Sequence, residues 1–230
     1  MAIPASHFGR LAVGMAPGKG TAFGQKGFSQ PGLYYWEVTP LTLDADGVCA
    51  SQSPTAAGAL TLDGALVTSG VAIFDVPRCV SITSAGNDTG DTFTIEGADY
   101  YGQTQHHTMI GGDSVAVVST KAFSKVTAVR TSGASASTVT VGTADTFGAP
   151  YVMGRRGKTS IYWNGTLLTS NSGFVAAVTS TPTIGTGDVR GTIAVQSAAD
   201  AAKPLEVWIL IPDTSLEDSD AVFGKTPYYA

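Results

Sequence analysis

The sequence predicts an all-β protein: an antiparallel β-sandwich or jelly-roll-like body preceded by an extended N-terminal arm. Between Val71 and Gly142, short segments rich in Val, Ile and Thr are separated at near-regular intervals by Gly, Asn and Asp. This punctuation is typical of sandwiches built from short strands and tight turns. Residues 1–45 lack the pattern, and no catalytic constellation accompanies it.

Two dipeptides predict tight β-hairpins. Asp63-Gly64 lies between the apolar segments Ala59–Leu62 and Ala65–Thr68, and Asn164-Gly165 follows Ser160–Trp163. Both dipeptides suit a two-residue turn in which both positions need positive φ. We therefore expect a hairpin at each of them.

Pro77 divides an apolar stretch in two. Val71–Asp75 precedes it and Cys79–Thr83 follows it. Because proline has no backbone N–H to donate to a ladder, it predicts a sheet edge, a bulge or a strand start at this point.

Alternation of apolar and polar residues predicts a half-buried strand at Asp91–Glu96. Phe93 and Ile95 fall on one face of this strand, and the threonines and Glu96 fall on the other. Further strands are expected at a spacing of roughly ten to twelve residues. They are Thr104–Ile110, Val115–Ser119, Val126–Arg130 and Thr138–Val141.

The last third of the chain contains the most apolar run, Leu205–Ile211. It predicts a central strand covered on both faces. Helix is expected only at Ser197–Lys203, where alanines precede Pro204, a residue that ends helices. The chain finishes with the aromatic pair Tyr228-Tyr229, which we interpret as a second docking extension.

Residues 1–45 are predicted to form the arm, because Gly and Pro are scattered through them without strand or helix periodicity. Disordered tails are usually poor in aromatic residues. The aromatics of this segment are therefore expected to be buried against a partner or against the protein's own body. An alternative is that Tyr34–Trp36 begin the domain core. The candidate interface residues are Phe8, Phe23, Phe28, Tyr34, Tyr35, Trp36, Tyr228 and Tyr229.

Three segments follow from these patterns. The arm covers residues 1–45 and a β-sandwich core covers residues 46–150. Residues 151–230 form a C-terminal β segment that either completes the body or makes a second small β-domain. Hydrophobic residues make up 43% of the chain, which is enough to fill a core without disulfides.

The composition argues against several classes of partner. Charged residues are 13% of the chain, against roughly a quarter in soluble domains, so either neighbouring chains cover the surface or Ser and Thr solvate it. A net charge of −5, with no basic run longer than Arg155-Arg156, argues against nucleic-acid binding. The sequence shows neither a membrane-spanning stretch nor a signal peptide, so no membrane partner is expected.

Catalytic, cofactor and metal sites are not expected. His106 and His107 are neighbours that point to opposite faces of an extended strand, so they cannot share one site. Cys49 and Cys79 are expected to be reduced thiols, because the chain shows no export signal. Asn87–Asp91 lacks the oxygen spacing of an EF-hand calcium loop and is interpreted as a turn. Gly18–Thr21 resembles a P-loop fragment without the strand and helix that would flank one.

Several segments resemble virion structural proteins of tailed bacteriophages, over residues 46–150. The resemblance rests on strand and turn signatures, which indicate architecture more than role. The segments are Asp46–Pro54, Leu60–Gly64, Asp75–Arg78, Ser84–Asp88, Thr92–Gly97 and Ser119–Phe123.

The resemblance implies a non-enzymatic capsid decoration, or cement, protein. Such a protein would bind the major capsid protein on the outer surface of the virion, after assembly in the host cytoplasm, and stabilise capsomer junctions. A homotrimer is implied, since cement proteins of related virions often occupy local three-fold positions. Multivalent burial of aromatic arm residues would supply the binding energy, at roughly 25 cal/mol per Å² of apolar surface.

Two alternatives remain. The protein would instead be a tail, fibre or head-to-tail component, although long repeats and heptads typical of fibres are missing. It would otherwise be a receptor-binding or carbohydrate-binding β-sandwich with an exposed aromatic platform at Tyr100-Tyr101 or Tyr162-Trp163.

Overall fold

The chain folds into two antiparallel β-sheets that share a hydrophobic core. The computed structural model describes residues 32–154, 158–168, 173–178, 180–211 and 223–229. Within those residues all fourteen named elements are strands, and the pairings between them are antiparallel. The predicted all-β sandwich is therefore confirmed.

The strands follow one another along the chain with no helix named between them in the described residues. They are β1 (Gly32–Val38), β2 (Cys49–Gln52), β3 (Gly58–Ala59), β4 (Val67–Thr68), β5 (Val71–Ser84), β6 (Thr92–Ala98), β7 (Thr104–Ile110), β8 (Ala116–Thr131), β9 (Val139–Gly148), β10 (Lys158–Trp163), β11 (Thr166–Leu167), β12 (Phe174–Ala176), β13 (Gly191–Ala194) and β14 (Leu205–Ile211).

The smaller sheet has four strands in the order β1-β14-β10-β11. The larger sheet has ten strands, seven of them in the order β12-β13-β9-β5-β8-β6-β7. The other three, β2, β3 and β4, pair with β9, β8 and β5. Of the strands from residues 158–211, β10, β11 and β14 thus form the smaller sheet together with β1, whereas β12 and β13 extend the larger sheet.

Two long strands bend the larger sheet. β5 joins the two segments predicted on either side of Pro77, and its register with β8 shifts between Ile73 and Arg78. Of the options that Pro77 left open, the structure shows an irregularity of the bulge type, which increases twist and bends a strand. β8 likewise joins the predicted strands at Val115–Ser119 and Val126–Arg130 into one of 16 residues.

The larger sheet curls around a core of alternate side chains. Phe93 and Ile95 of β6 are fully buried, whereas Thr92 and Thr94, which alternate with them, are half-buried, as the alternation predicts. They pack with Ile82, Phe123, Val126, Val129, Val139 and Val141 from the neighbouring strands.

A second core lies between the two sheets. Trp36, Ile161 and Val207 contribute to it from the smaller sheet, and Phe147 and Ile193 contribute from the larger. Because β1 supplies Trp36 and pairs with β14 along its whole length, the residues from Gly32 to Val38 belong to the body. The boundary of the predicted arm at residue 45 is thus too late, and the remainder, residues 1–31, lies outside the described residues.

One of the two predicted hairpins is confirmed. Asn164 and Gly165 have φ values of 49° and 74° and connect β10 to β11, with Trp163 paired to Thr166. Positive φ at both positions is the geometry that matches the twist of the flanking strands.

The hairpin predicted at Asp63-Gly64 is wrong. The tight turn lies instead at Ser69-Gly70, with φ of 53° and 78°, between β4 and β5. Gly64 serves close packing, because a Cβ added there would lie 2.2 Å from the backbone carbon of Gly47. Its N–H donates to the carbonyl of Val48 at 3.2 Å.

The helix predicted at Ser197–Lys203 is also wrong. The Asp200 carboxylate accepts hydrogen bonds from the backbone N–H groups of Ala202 and Lys203, both at 3.1 Å. Ala201 has φ of 65°, which a right-handed helix cannot contain. A local side-chain bond has therefore replaced the helical ladder.

Leu205–Ile211 forms β14, which lies between β1 and β10 as a central strand. The expectation that both faces are covered is wrong for part of the strand. Leu205, Val207 and Ile209 are buried, whereas Glu206 and Trp208 are half-buried. The strand therefore presents a second, partly open face.

Gly142→Ala is expected to lower the free energy of unfolding by about 1–3 kcal/mol, the usual cost of forcing atoms into a packed interior. A Cβ at Gly142 would lie 2.0 Å from the Asp44 carbonyl oxygen and 2.3 Å from the Ala45 carbonyl carbon. Urea unfolding measures the change. Gly58→Ala is the control, since a Cβ there meets nothing within 4 Å, and an equal loss in both variants would contradict the packing argument.

Candidate functional site

The predicted interface residues fall into several places. Phe8, Phe23 and Phe28 lie outside the described residues. Trp36 is 5% exposed in the core between the sheets, which agrees with the alternative that this stretch begins the domain core. Tyr34 packs against the same core, with its ring centroid 4.7 Å from that of Tyr151.

Tyr35 points to the opposite face of the smaller sheet. Successive residues of a strand alternate between faces, so Tyr35 turns away from the core that receives Tyr34 and Trp36. Its ring centroid lies 4.3 Å from that of Trp208 on β14. Of the three aromatics of β1, Tyr35 is the one positioned to meet another molecule.

The C-terminal residues dock on the protein's own body. The backbone oxygen of Tyr228 accepts a hydrogen bond from the His106 N–H at 2.8 Å, and the Lys121 Nζ lies 5.7 Å from the centre of the Tyr228 ring. Tyr229 is 63% exposed. Tyr228 thus packs on the body of its own chain, and the Tyr229 side chain is exposed. The interpretation of this pair as a docking extension toward a partner stays a prediction.

His106 and His107 do not share a site, as strand alternation predicts. His107 is buried, and its Nδ1 contacts the backbone oxygen of Ile184 at 3.0 Å while its Nε2 accepts the N–H of Thr120 at 3.3 Å. Burial lowers the pKa of His107 to about 4, with a further lowering from Lys121 and an opposing effect from the Ile184 bond. The neutral imidazole therefore bridges β8 and the segment that contains Ile184.

Lys121 is a buried cation beside His107. Its Nζ donates to the backbone oxygens of His106 and Thr183, both at 2.8 Å. Burial lowers the pKa of Lys121 to about 8, and the negative charge of Asp188 opposes that shift. The ammonium group thus ties β7 to the segment before β13.

Arg190 and Asp99 form a fully buried ion pair, with Nη2 and Oδ2 2.7 Å apart and the two side chains 2% and 0% exposed. Asp99 also accepts the N–H groups of Tyr101 and Gln103, so it fixes the turn between β6 and β7. The Arg190 guanidinium lies 5.2 Å from the Tyr101 ring centre and donates to the Phe223 carbonyl. One cation therefore links this turn to the C-terminal residues.

Asp188 completes this buried polar group. Its two oxygens accept the backbone N–H of Arg190 at 2.7 Å and of Ala122 at 3.1 Å. Burial raises the pKa of Asp188, and the charge of Arg190 and both backbone bonds counter the rise. We call His107, Lys121, Asp99, Asp188 and Arg190 the polar cluster. Each of these five side chains forms a hydrogen bond with a backbone group.

A third buried cation, Arg78, lies at the bend of β5. Its guanidinium bonds Asp75 at 2.8 Å and the carbonyl of Leu41, and lies 3.6 Å from an Asp145 oxygen. The Arg78 side chain also covers the Phe147 ring, 5.1 Å from its centre. It ties the segment after β1 to β5 and β9.

The two cysteines are not joined by a disulfide, and the segment predicted as a turn contains a local hydrogen bond. Cys49 and Cys79 are buried free thiols in different hydrophobic clusters. Burial raises the pKa of Cys49 to about 12, which disfavours the reactive thiolate. In Asn87–Asp91, the Asn87 side-chain oxygen accepts the N–H of Thr89 at 3.1 Å, as a turn requires.

Two residues of the aromatic platforms expected for the alternative function, Tyr101 and Trp163, contact the protein's own body. Trp163 is 4% exposed, and its indole N–H donates to the Ser197 hydroxyl at 2.9 Å in the core. Tyr101 is 45% exposed, but its ring packs against Phe223 and its hydroxyl donates to the Pro150 carbonyl. Both residues are therefore committed to the protein's own structure.

The polar cluster was missed by sequence reasoning because its members are far apart in the chain. Arg190 and Asp99 are separated by 91 residues, and nothing in the sequence marks them as partners. The one available signal was the sequence Asp99–Gly102, where an Asx turn predicts that the aspartate side chain bonds its own backbone.

Comparison with protein-family models, with curated proteins and with solved structures gave no match. In the described residues, no group of three His, Cys, Asp or Glu side chains is placed to bind a metal ion. In the same part of the chain, no helix has the length and apolar character needed to span a membrane.

Acid is expected to destabilise the protein through His107. Its folded pKa of about 4 lies below the value of roughly 6.5 in an unfolded chain. Between these values the unfolded state binds more protons, so stability falls as pH drops, by at most about 1.4 kcal/mol per pH unit. Urea unfolding from pH 7 to pH 4 measures this slope.

His107→Gln is expected to flatten that slope, because the titrating group is gone. His106→Gln, on the other face of β7, is the control and should retain the slope. If both variants keep the wild-type pH dependence, His107 is not the responsible group.

Proposed function

We propose that the protein is a non-enzymatic structural component of a virion that binds the outer surface of the capsid shell and stabilises capsomer junctions. The observation that carries the proposal is the distribution of polar and apolar side chains between the interior and the surface. The titratable groups of the polar cluster are buried and bond the backbone, whereas large apolar side chains lie exposed.

Exposed apolar side chains occur on both sheets and on the connections between strands. Ile110 and Val115, 61% and 54% exposed, flank the turn between β7 and β8. Scattered exposed apolar residues are ordinary, but here they accompany a charged content of only 13%. Among the described residues, the exposed large apolar side chains are Leu41, Leu43, Ile73, Tyr101, Ile110, Val115, Val118, Leu167, Val175, Phe223 and Tyr229.

The bonds that buried charged side chains make to distant parts of the backbone also support a structural role. Four buried charged residues, Arg78, Lys121, Asp188 and Arg190, bond backbone groups of segments distant in sequence. Removing one partner from such a network costs several kcal/mol, because a buried charge is left uncompensated. A body that resists local opening suits a protein that must hold neighbouring subunits together.

The resemblance of residues 46–150 to tailed-phage virion proteins supplies the partner in this proposal. Those residues contain β2 to β9, which make most of the larger sheet. The partner is the major capsid protein, and a homotrimer would match a local three-fold position. Residues 1–31 would add contacts across the junction, so that many weak contacts raise the effective affinity.

The full-length protein is expected to bind capsids of the phage that encodes it, when those capsids are prepared without it. Co-sedimentation measures the binding, and electron microscopy should show regular density over capsomer junctions. Absence of shell binding would overturn the proposal and favour a tail or head-to-tail position.

A variant lacking residues 1–30 is expected to bind the same capsids more weakly, since its aromatic anchors are removed. Circular dichroism and thermal unfolding check that the β body is retained. Unchanged shell binding by a folded truncation would show that these residues do not contact the shell.

A further inference from the structure

One face of the smaller sheet packs on the core between the sheets. The opposite face carries aromatic and acidic side chains, and no strand of the described residues packs on it. Alternation places the side chains of Tyr35, Glu37, Tyr162, Glu206 and Trp208 on this face, opposite the core residues Trp36, Ile161 and Val207. Glu37 is exposed and the other four are half-buried. We call these five residues the outer face.

The two acids of the outer face lie directly opposite each other. Glu37 of β1 is paired with Glu206 of β14, and like charges across a strand pair are destabilising. The salt bridges of the described residues do not involve either carboxylate. The sheet therefore carries an unfavourable charge pair that a cation would relieve.

Aromatic rings surround these acids. Tyr35 donates its hydroxyl to the Glu37 carboxylate at 2.5 Å, and Tyr162 is paired with Glu206. Desolvation, the Glu37 bond and the charges of Glu37 and Glu206 all raise the pKa of Tyr35, so its ring stays neutral. Carboxylates beside Trp and Tyr rings favour an Arg or Lys side chain, through ion pairing and cation–π contact.

Residues 1–31 have the complementary chemistry. They contain Arg10, Lys19 and Lys26 and no Asp or Glu, in a chain whose net charge is −5. They also contain Phe8, Phe23 and Phe28, which can pack on the rings of the outer face. Charge and apolar character thus match in the same segment.

The reach of this segment favours a neighbouring copy. It leads directly into β1 at Gly32, and 31 residues in extended form span at most about 100 Å, well beyond the dimensions of the sheet. Exchange of a terminal segment between identical chains is a low-cost route to an oligomer, because the same contacts are used by every copy.

We propose that the basic N-terminal segment, residues 1–31, of one copy docks on the outer face of the smaller sheet in a second copy, with Arg10, Lys19 or Lys26 between Glu37 and Glu206. The inference concerns association of this chain with itself and does not depend on the proposed shell-binding function.

Two charge-reversed full-length proteins test the proposal. E37K/E206K places positive charge on the outer face, and R10E/K19E/K26E makes the N-terminal segment negative. In each protein alone the segment and the face repel, so sedimentation velocity should show self-association weakened at least about tenfold. A mixture of the two regains oligomers, because each segment then meets a complementary face on the other protein.

D46K/D113K is the matched control, since it makes the same change in net charge at two exposed aspartates outside the outer face. It should self-associate as the wild type does, and wild-type association should weaken with added salt. These measurements use no capsids, so their outcome is separate from that of the shell-binding experiment.

Three results would overturn the proposal. The wild-type protein would be monomeric at all concentrations tested, or E37K/E206K would associate as strongly as D46K/D113K. In the third, the mixture of E37K/E206K and R10E/K19E/K26E would stay dissociated, while a single protein with all five substitutions would behave as the wild type. That result would place the N-terminal segment on the smaller sheet of its own chain.

Discussion

Strand β9 is the constraint on which the rest of the structure depends. Val139 and Val141 at its start belong to the core of the larger sheet, and Phe147 near its end belongs to the core between the sheets. β9 pairs with β5 on one side and with β2 and β13 on the other. Since residues spaced by two share one face, a single strand places side chains in both cores and fixes how the second sheet is added to the first.

Buried charge attaches the less regular segments to this framework. Among the described residues just before β13, no named strand pairs with β7 or β8. Backbone bonds such as Thr108 N–H to the Ile184 oxygen make part of the connection, and side chains satisfy further backbone groups. These side chains are those of His107, Lys121 and Asp188, and Arg190 continues the connection to Phe223. The cost of burying the charges of Lys121, Asp188 and Arg190 is offset because each has an opposite charge, carbonyl oxygens or backbone N–H groups within bonding distance.

Periodicity predicted the parts of the fold that local chemistry controls. The alternation at Phe93 and Ile95 and the turn at Asn164-Gly165 follow from neighbouring residues, and both were predicted. The hairpin predicted at Asp63-Gly64 failed because Gly64 packs against Gly47, and the turn formed at Ser69-Gly70 instead. The non-helical backbone at Ala201 was missed because it bonds Pro40, which is distant in the sequence. The ion pair of Arg190 with Asp99 was beyond prediction for the same reason.

The contrast between the two groups of acids in this protein bears on the outer face. Asp99 and Asp188 are buried, and each has cationic or N–H partners, so the free-energy cost of burying the carboxylate is offset within the chain. Glu37 and Glu206 face each other across two strands without such balance in the described residues. Natural sequences tend to break local rules where function requires it. An acid pair without a cationic partner in the described residues lies among aromatic rings, beside a strand that follows a segment with basic and no acidic residues. It is therefore better explained by an interface than by folding.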